Sequence, residues 1–128
     1  MKKLLLFPLL LVTCFCLAQD AKEIIGKPIK IGNLVVAQND FNEWMKWDDA
    51  KRACAALGKG WRLPTKDEWD ILIQNKHKIG CLVGLDYWSS TEVGSNNEAF
   101  GQSVAAINIK GMYEKIKFSL SVRAVRSL

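Results

Sequence analysis

The stretch Gly60-Trp61-Arg62-Leu63-Pro64-Thr65-Lys66-Asp67-Glu68-Trp69 decides the fold. Pro64 drives Leu63 out of helical geometry, because the proline ring clashes with a helical predecessor. Thr65 and Glu68 then form a capping box: the Thr65 hydroxyl accepts from the Glu68 amide, and the Glu68 carboxylate reaches back to the Thr65 amide. The spacing predicts a helix from here to about Asn75, with Trp69, Leu72 and Ile73 as its apolar stripe.

Upstream, residues 47–57 read as another helix. Trp47, Ala50, Cys54 and Leu57 recur on one face, Asp48 and Asp49 sit in the first turn, and Gly58 and Gly60 follow the end. Before it, residues 34–37 (LVVA) are a short apolar strand behind Gly32-Asn33. Residues 19–30 are polar and carry Pro28, and read as a leader; the domain is expected over residues 31–128.

Downstream the apolar period changes. Residues 87–91 (YWSST) read as a strand, 94–98 as a turn-rich loop, and 99–109 and 113–118 as two further strands broken at Lys110-Gly111. Residues 122–126 (VRAVR) close the chain, with Val122, Ala124 and Arg126 on one face and Arg123 and Val125 on the other. Strand, helix, helix and then antiparallel strands predict an α+β domain with its helices on one side of the sheet.

The N-terminus reads as a targeting segment. Lys2 and Lys3 precede the apolar run 4–18, which is too short for a membrane span and suits a signal peptide cut between Ala18 and Gln19. Lipid attachment at Cys14 or Cys16 is a rival reading, disfavoured because Thr13 and Phe15 are not the small residues it needs. No span is expected after cleavage. The formal charge of +5 falls to about +3 without Lys2 and Lys3, and no basic stripe points to nucleic acid.

Cys54 and Cys81 remain. An oxidising compartment permits a bridge between them, contributing about 3.5 kcal/mol on the chain-entropy model. Cys54 also lies on the apolar helix face, which favours a buried thiol. Both readings stay open.

Four motifs occur in order: Trp47-x-x-Ala50-x-x-x-Cys54, Gly60-Trp61-Arg62-Leu63-Pro64-Thr65-x-x-Glu68, Tyr87-Trp88-Ser89-Ser90-Thr91 and Val122-Arg123-Ala124-Val125-Arg126. Together they resemble the bacterial domain family that includes the C-terminal lectin-like domain of the Lcl adhesin, close to the Fibrobacter major paralogous domain. The resemblance runs from about residue 31 to 126. It implies a C-type-lectin-like fold with two helices on a twisted antiparallel sheet, adjacent chain ends, export, and in some members adhesion or carbohydrate binding. Two departures stand out. Lys46 replaces the small polar residue that often precedes the first tryptophan, so that helix end is expected to fray. Relatives often carry glycine in place of Cys81, so the family lends the bridge no support.

The wider fold includes formylglycine-generating enzymes, whose second helix begins with a similar Arg-Leu-Pro-Thr-x-x-Glu-Trp. Those enzymes bind copper with a late cysteine pair, whereas the last cysteine here, Cys81, precedes most of the sheet. The resemblance thus carries the scaffold and not that active site. His77, in a lysine-flanked stretch, reads as solvated. The pairs Asp48/Asp49 and Asp67/Glu68 are explained as helix-start residues, since neighbours on a helix do not face each other. Calcium needs several converging oxygens, and only Asn96-Asn97-Glu98 offers a loop of them. No catalytic, cofactor or metal residue is therefore assigned.

Trp61, Trp69 and Trp88 are expected at the helix–sheet junction. Arg62, Arg123 and Arg126 are expected to pair with acids such as Glu68 or Asp70, or with carbonyls. Trp44, in a polar loop, is expected to be exposed. Ligand contact is expected from Trp44, Glu92, Asn96, Asn97, Gln102, Asn108 and Tyr113, on loops held by a rigid scaffold. The expectation is an exported, non-enzymatic recognition module for a glycan or envelope-protein surface. A structural envelope component and a degenerate relative of the formylglycine-generating enzymes are the alternatives.

Overall fold

A computed structural model describes residues 21–80 and 82–128. The signal-peptide reading and Cys81 lie outside them. The elements are β1 (Ile29–Ile31), β2 (Leu34–Val36), α1 (Trp47–Ala56), α2 (Lys66–Gln74), α3 (Lys76–Ile79), β3 (Asp86–Val93), β4 (Glu98–Ser103), β5 (Lys110–Glu114) and β6 (Val125–Ser127). They form an α+β domain with two antiparallel three-stranded sheets, ordered β1-β2-β6 and β3-β4-β5. The sheet β1-β2-β6 joins the N-terminal hairpin to the C-terminal strand.

The capping box at the start of α2 is complete, with the Glu68 amide donating to Thr65 Oγ1 at 3.0 Å and the Thr65 amide to Glu68 Oε1 at 2.9 Å. The extended segment before it ties the two sheets together. Arg62 bridges to Val125, while the Pro64 carbonyl accepts from the Ser90 amide at 2.8 Å. The Thr91 hydroxyl accepts from the Lys66 amide at 2.9 Å, satisfying another open donor of the first turn of α2.

The helices lie on opposite faces of β3, not on one side of a single sheet. Side chains of adjacent strand residues point oppositely. Tyr87 joins the cluster of Trp69, Leu72 and Val125, whereas Trp88 joins that of Trp47, Cys54 and Val122. Side chains over 122–126 alternate as expected, but the closing strand is β6 at Val125–Ser127 rather than 122–126, and both faces are covered, since Val122, Arg123, Ala124 and Val125 are all buried.

Three indole N–H groups reach backbone carbonyls: Trp47 to Ser89 at 2.9 Å, Trp69 to Trp88 at 3.1 Å and Trp88 to Met45 at 2.7 Å. Each large ring thus buries its apolar surface without leaving its polar atom unpaired. Lys46 makes no side-chain cap on α1, yet that end is anchored by Trp47, whose ring lies under the ammonium groups of Lys115 and Lys51 at 3.9 and 4.5 Å.

Other boundaries also differ from expectation. Residues 21–25 are helical with Ile24 in the core, and β1 is a paired strand, so the domain takes in most of the expected leader. The long strand expected over 99–109 stops at Ser103. Lys110 and Gly111 lie inside β5, which ends at Glu114. Gly111 reads as a breaker in sequence, but here the Tyr113 ring covers it: a Cβ on Gly111 would come within 2.8 Å of that ring, and one on Gly101 opposite within 2.7 Å.

Candidate functional site

The most exposed tryptophan stands on a loop bonded to the chain on both flanks. Residues 37–45 run beside 120–124, with amide-to-carbonyl bonds from Ala37 to Ala124, Phe41 to Val122 and Met45 to Leu120 at 2.9–3.0 Å. The Leu120 amide returns a bond to Met45, whose carbonyl also accepts from Trp88. On the other flank, the Gln38 and Asn39 amides reach the carbonyls of Ile25 and Ile24. Trp44 projects from this frame with 72% of its surface exposed, while the other four tryptophans are buried.

Its sequence neighbours Glu43 and Met45, but not Trp44 itself, line an open groove of about 520 Å³ between residues 21–25, the 41–45 loop and the second half of α1. Ile24, Phe41, Met45 and Leu57 give it apolar walls, and Asn42 and Glu43 supply polar groups. Trp44 sits in sequence between two lining residues. Sequence reasoning identified Trp44 but not the groove, because Ile24 was assigned to the leader.

Inside the same loop, Asp40 forms a buried network. Arg123, fully buried, donates from Nε to Asp40 Oδ1 at 2.7 Å and from a terminal nitrogen to the Ala37 carbonyl at 3.2 Å. The Tyr87 hydroxyl donates to Asp40 Oδ2 at 2.6 Å and accepts from the Gly84 amide at 2.8 Å. Burial first, and then the bond to Asp40, push the Tyr87 phenol well up. The network fixes the 82–85 loop, on which Val83 and Leu85 are exposed.

The expected ligand residues do not converge. Glu92, Asn96 and Asn97 surround the β3–β4 turn, whereas Asn108 lies in the β4–β5 connection, about 20 Å away along the six residues of β4. Glu92 pairs with Lys115, and Asn96 takes a left-handed turn position at φ 71°. Asn108 is exposed.

Gln102 and Tyr113 are engaged within the domain, Gln102 buried and Tyr113 partly so. Gln102 is fully buried, its amide nitrogen donating to the Ser103 and Ala106 carbonyls at 2.8 Å, which shapes the β4–β5 connection. Tyr113 packs edge-on against Trp88 and Phe118, and burial, followed by Asp86, pushes its phenol up.

The motif arginines each meet a partner within the chain, not always the expected one. Arg62 holds Glu68 through two bonds at 2.7 and 3.0 Å, as the sequence suggests. Asp70 instead takes Lys110, Arg123 takes Asp40, and Arg126 stacks over Trp61 at 5.6 Å. Cys54 is a free, buried thiol that desolvation pushes up to about 12. His77 is exposed on α3. Among the described residues no three His, Cys, Asp or Glu side chains cluster as metal ligands, and no helix is long and apolar enough to cross a membrane.

The structural neighbours are C-type-lectin-like. The chain is similar to botrocetin, at 16% identity and a TM-score of 0.57, over 80% of this chain and 98% of that one. It is likewise similar to a chain in the complex of botrocetin with a mutant von Willebrand factor A1 domain, at 14% identity and a TM-score of 0.56, with the same coverage. Identities this low show a shared fold alone. No family model and no curated protein sequence matches the chain.

Proposed function

We propose that the protein is an exported, non-enzymatic recognition module that meets its ligand through Trp44 and the adjoining groove. The observation that carries this reading is the contrast among the tryptophans. Four are buried, and the fifth is held in solvent on a loop bonded on both flanks. An exposed indole on a fixed backbone offers a large contact face at little cost in conformational entropy. Asn42 and Glu43 beside it add hydrogen-bonding groups suited to a glycan hydroxyl or a protein backbone.

The ordered motifs favour membership of the Lcl-type lectin-like family, and with it export and an envelope setting. The solved botrocetin complex, in which a protein of this fold engages another protein, is in keeping with a recognition role. Against the degenerate-enzyme alternative stands Cys54, buried and with a thiol pushed to about 12, which withholds the thiolate a nucleophile needs.

The test is a glycan array together with a pulldown from the producing cell's envelope, each run with the native protein and with Trp44→Ala. Capture of a glycan or an envelope protein by the native chain, weakened at least tenfold by the substitution, is the expected result. Absence of any capture, or capture indifferent to Trp44, contradicts the proposal.

A further inference from the structure

The outer edge of β5 has no strand partner among the described residues and is self-complementary, and we infer that it pairs with the same edge of a second copy of this chain. β5 is the last strand of its sheet. Its register against β4 is unbroken, unlike the β3–β4 pairing, which shifts between Trp88 and Glu92. It carries neither proline nor bulge, two of the devices that discourage edge pairing, and its charges, Lys110 and Glu114, are of opposite sign.

The hydrogen-bond phase identifies the groups on offer. The Ser103 amide donates to the Ile109 carbonyl at 3.0 Å, and the Lys115 amide to that of Asn97 at 2.9 Å. In an antiparallel ladder such positions alternate. Residues 109, 111, 113 and 115 therefore face β4, and Lys110, Met112 and Glu114 turn their amides and carbonyls outward. The Glu114 carbonyl already accepts from Lys117 and Phe118 at 3.2 Å. Met112, 60% exposed, has neither outward group bonded among the described residues.

Charge selects one arrangement. A parallel pairing would set Lys110 beside Lys110 and Glu114 beside Glu114, and like charges directly opposite are destabilising. An antiparallel pairing centred on Met112 sets Lys110 opposite Glu114 of the second copy at both ends. The Lys110 ammonium bonds Asp70 and the Ile107 carbonyl, which leaves one of its three donors for that carboxylate. Met112 meets its own equivalent on the two-fold axis. Four backbone bonds result: Met112 amide to Met112 carbonyl and Glu114 amide to Lys110 carbonyl, each in both directions. A strand of this length buries less than a standard interface, so the dimer should dissociate on dilution through the micromolar range.

Sedimentation equilibrium of the purified protein, with no ligand added, tests this independently of the Trp44 reading. The expected result is a mass that climbs towards twice the monomer's with concentration. Met112→Pro removes an outward amide that has no partner within the chain, as edge prolines can. It should abolish the climb while the circular dichroism spectrum stays native. Should that variant misfold, deuterium exchange on the native protein decides: the Met112 and Glu114 amides should slow as concentration rises. A strictly monomeric protein, a dimer insensitive to Met112→Pro in a folded variant, or β5 amides indifferent to concentration would overturn the inference.

Discussion

Arg62 and Val125 exchange both backbone hydrogen bonds, at 2.8 and 2.9 Å. The exchange joins two motifs far apart in the chain into one seam. On one side, Val125 belongs to the sheet β1-β2-β6; on the other, two residues beyond Arg62, Pro64 holds β3 through Ser90. The Arg62 side chain turns back to clamp Glu68, so the seam and the start of α2 are fixed by one residue.

That clamp makes stability respond to acid. Burial alone would raise the Glu68 carboxyl, but hydrogen bonds from Arg62 and Thr65 outweigh it and hold the group below its ordinary value of 4.5. A depressed carboxyl contributes stability that is fully present above the ordinary value and is lost as pH falls through the folded one. Melting temperatures measured from pH 7 downward should fall below about pH 4.5 more steeply for the native protein than for Glu68→Gln. Parallel curves would remove Glu68 from the account.

The Asp40–Arg123 pair predicts a larger loss. The Arg123 side chain is fully buried and the Asp40 side chain is 6% exposed. Asp40→Asn removes the carboxylate that the buried Arg123 guanidinium bonds through Nε, which costs about 3–5 kcal/mol. Tyr87→Phe removes two hydrogen bonds and costs about 1–3 kcal/mol. Urea denaturation measures both. A cost under about 1 kcal/mol for Asp40→Asn would contradict the network.

The sequence showed what is local and hid what is not. Thr65 and Glu68 sit three residues apart, so their capping box is legible, as are the α1 stripe and the alternation of 122–126. Asp40 lies 83 residues from Arg123, and nothing local marks the pair, so Glu68 and Asp70 looked like equally good partners. Gly111 looked like a break because the ring that covers it comes from tertiary packing. Gln102 and Tyr113 already lay in the expected strands 99–109 and 113–118, and nothing local marked which of their neighbours would cover them. Trp44 was legible as exposed because its neighbours are polar. Its groove was not, because one wall comes from residues 21–25.

Gly101→Ala tests that packing. The added methyl would meet the Tyr113 ring at 2.7 Å and Leu120 at 2.9 Å. Overpacking of this kind costs about 1–3 kcal/mol. In a double-mutant cycle, Tyr113→Ala should relieve part of the penalty. Additive losses would show that the ring does not press on Gly101.

Cys54 should be inert in the folded protein. With the thiol at about 12 and no exposed surface, iodoacetamide at neutral pH should label it only after denaturation. Rapid labelling of native protein, located by peptide mass spectrometry, would revive a catalytic reading.

Iodide quenching of indole fluorescence tests the central division most directly, without a ligand in hand. One of the five tryptophans should be accessible to the quencher, and Trp44→Phe should abolish that accessible fraction while leaving the fold intact. A native protein with no quenchable tryptophan, or one that keeps its quenchable fraction after Trp44→Phe, would contradict the account.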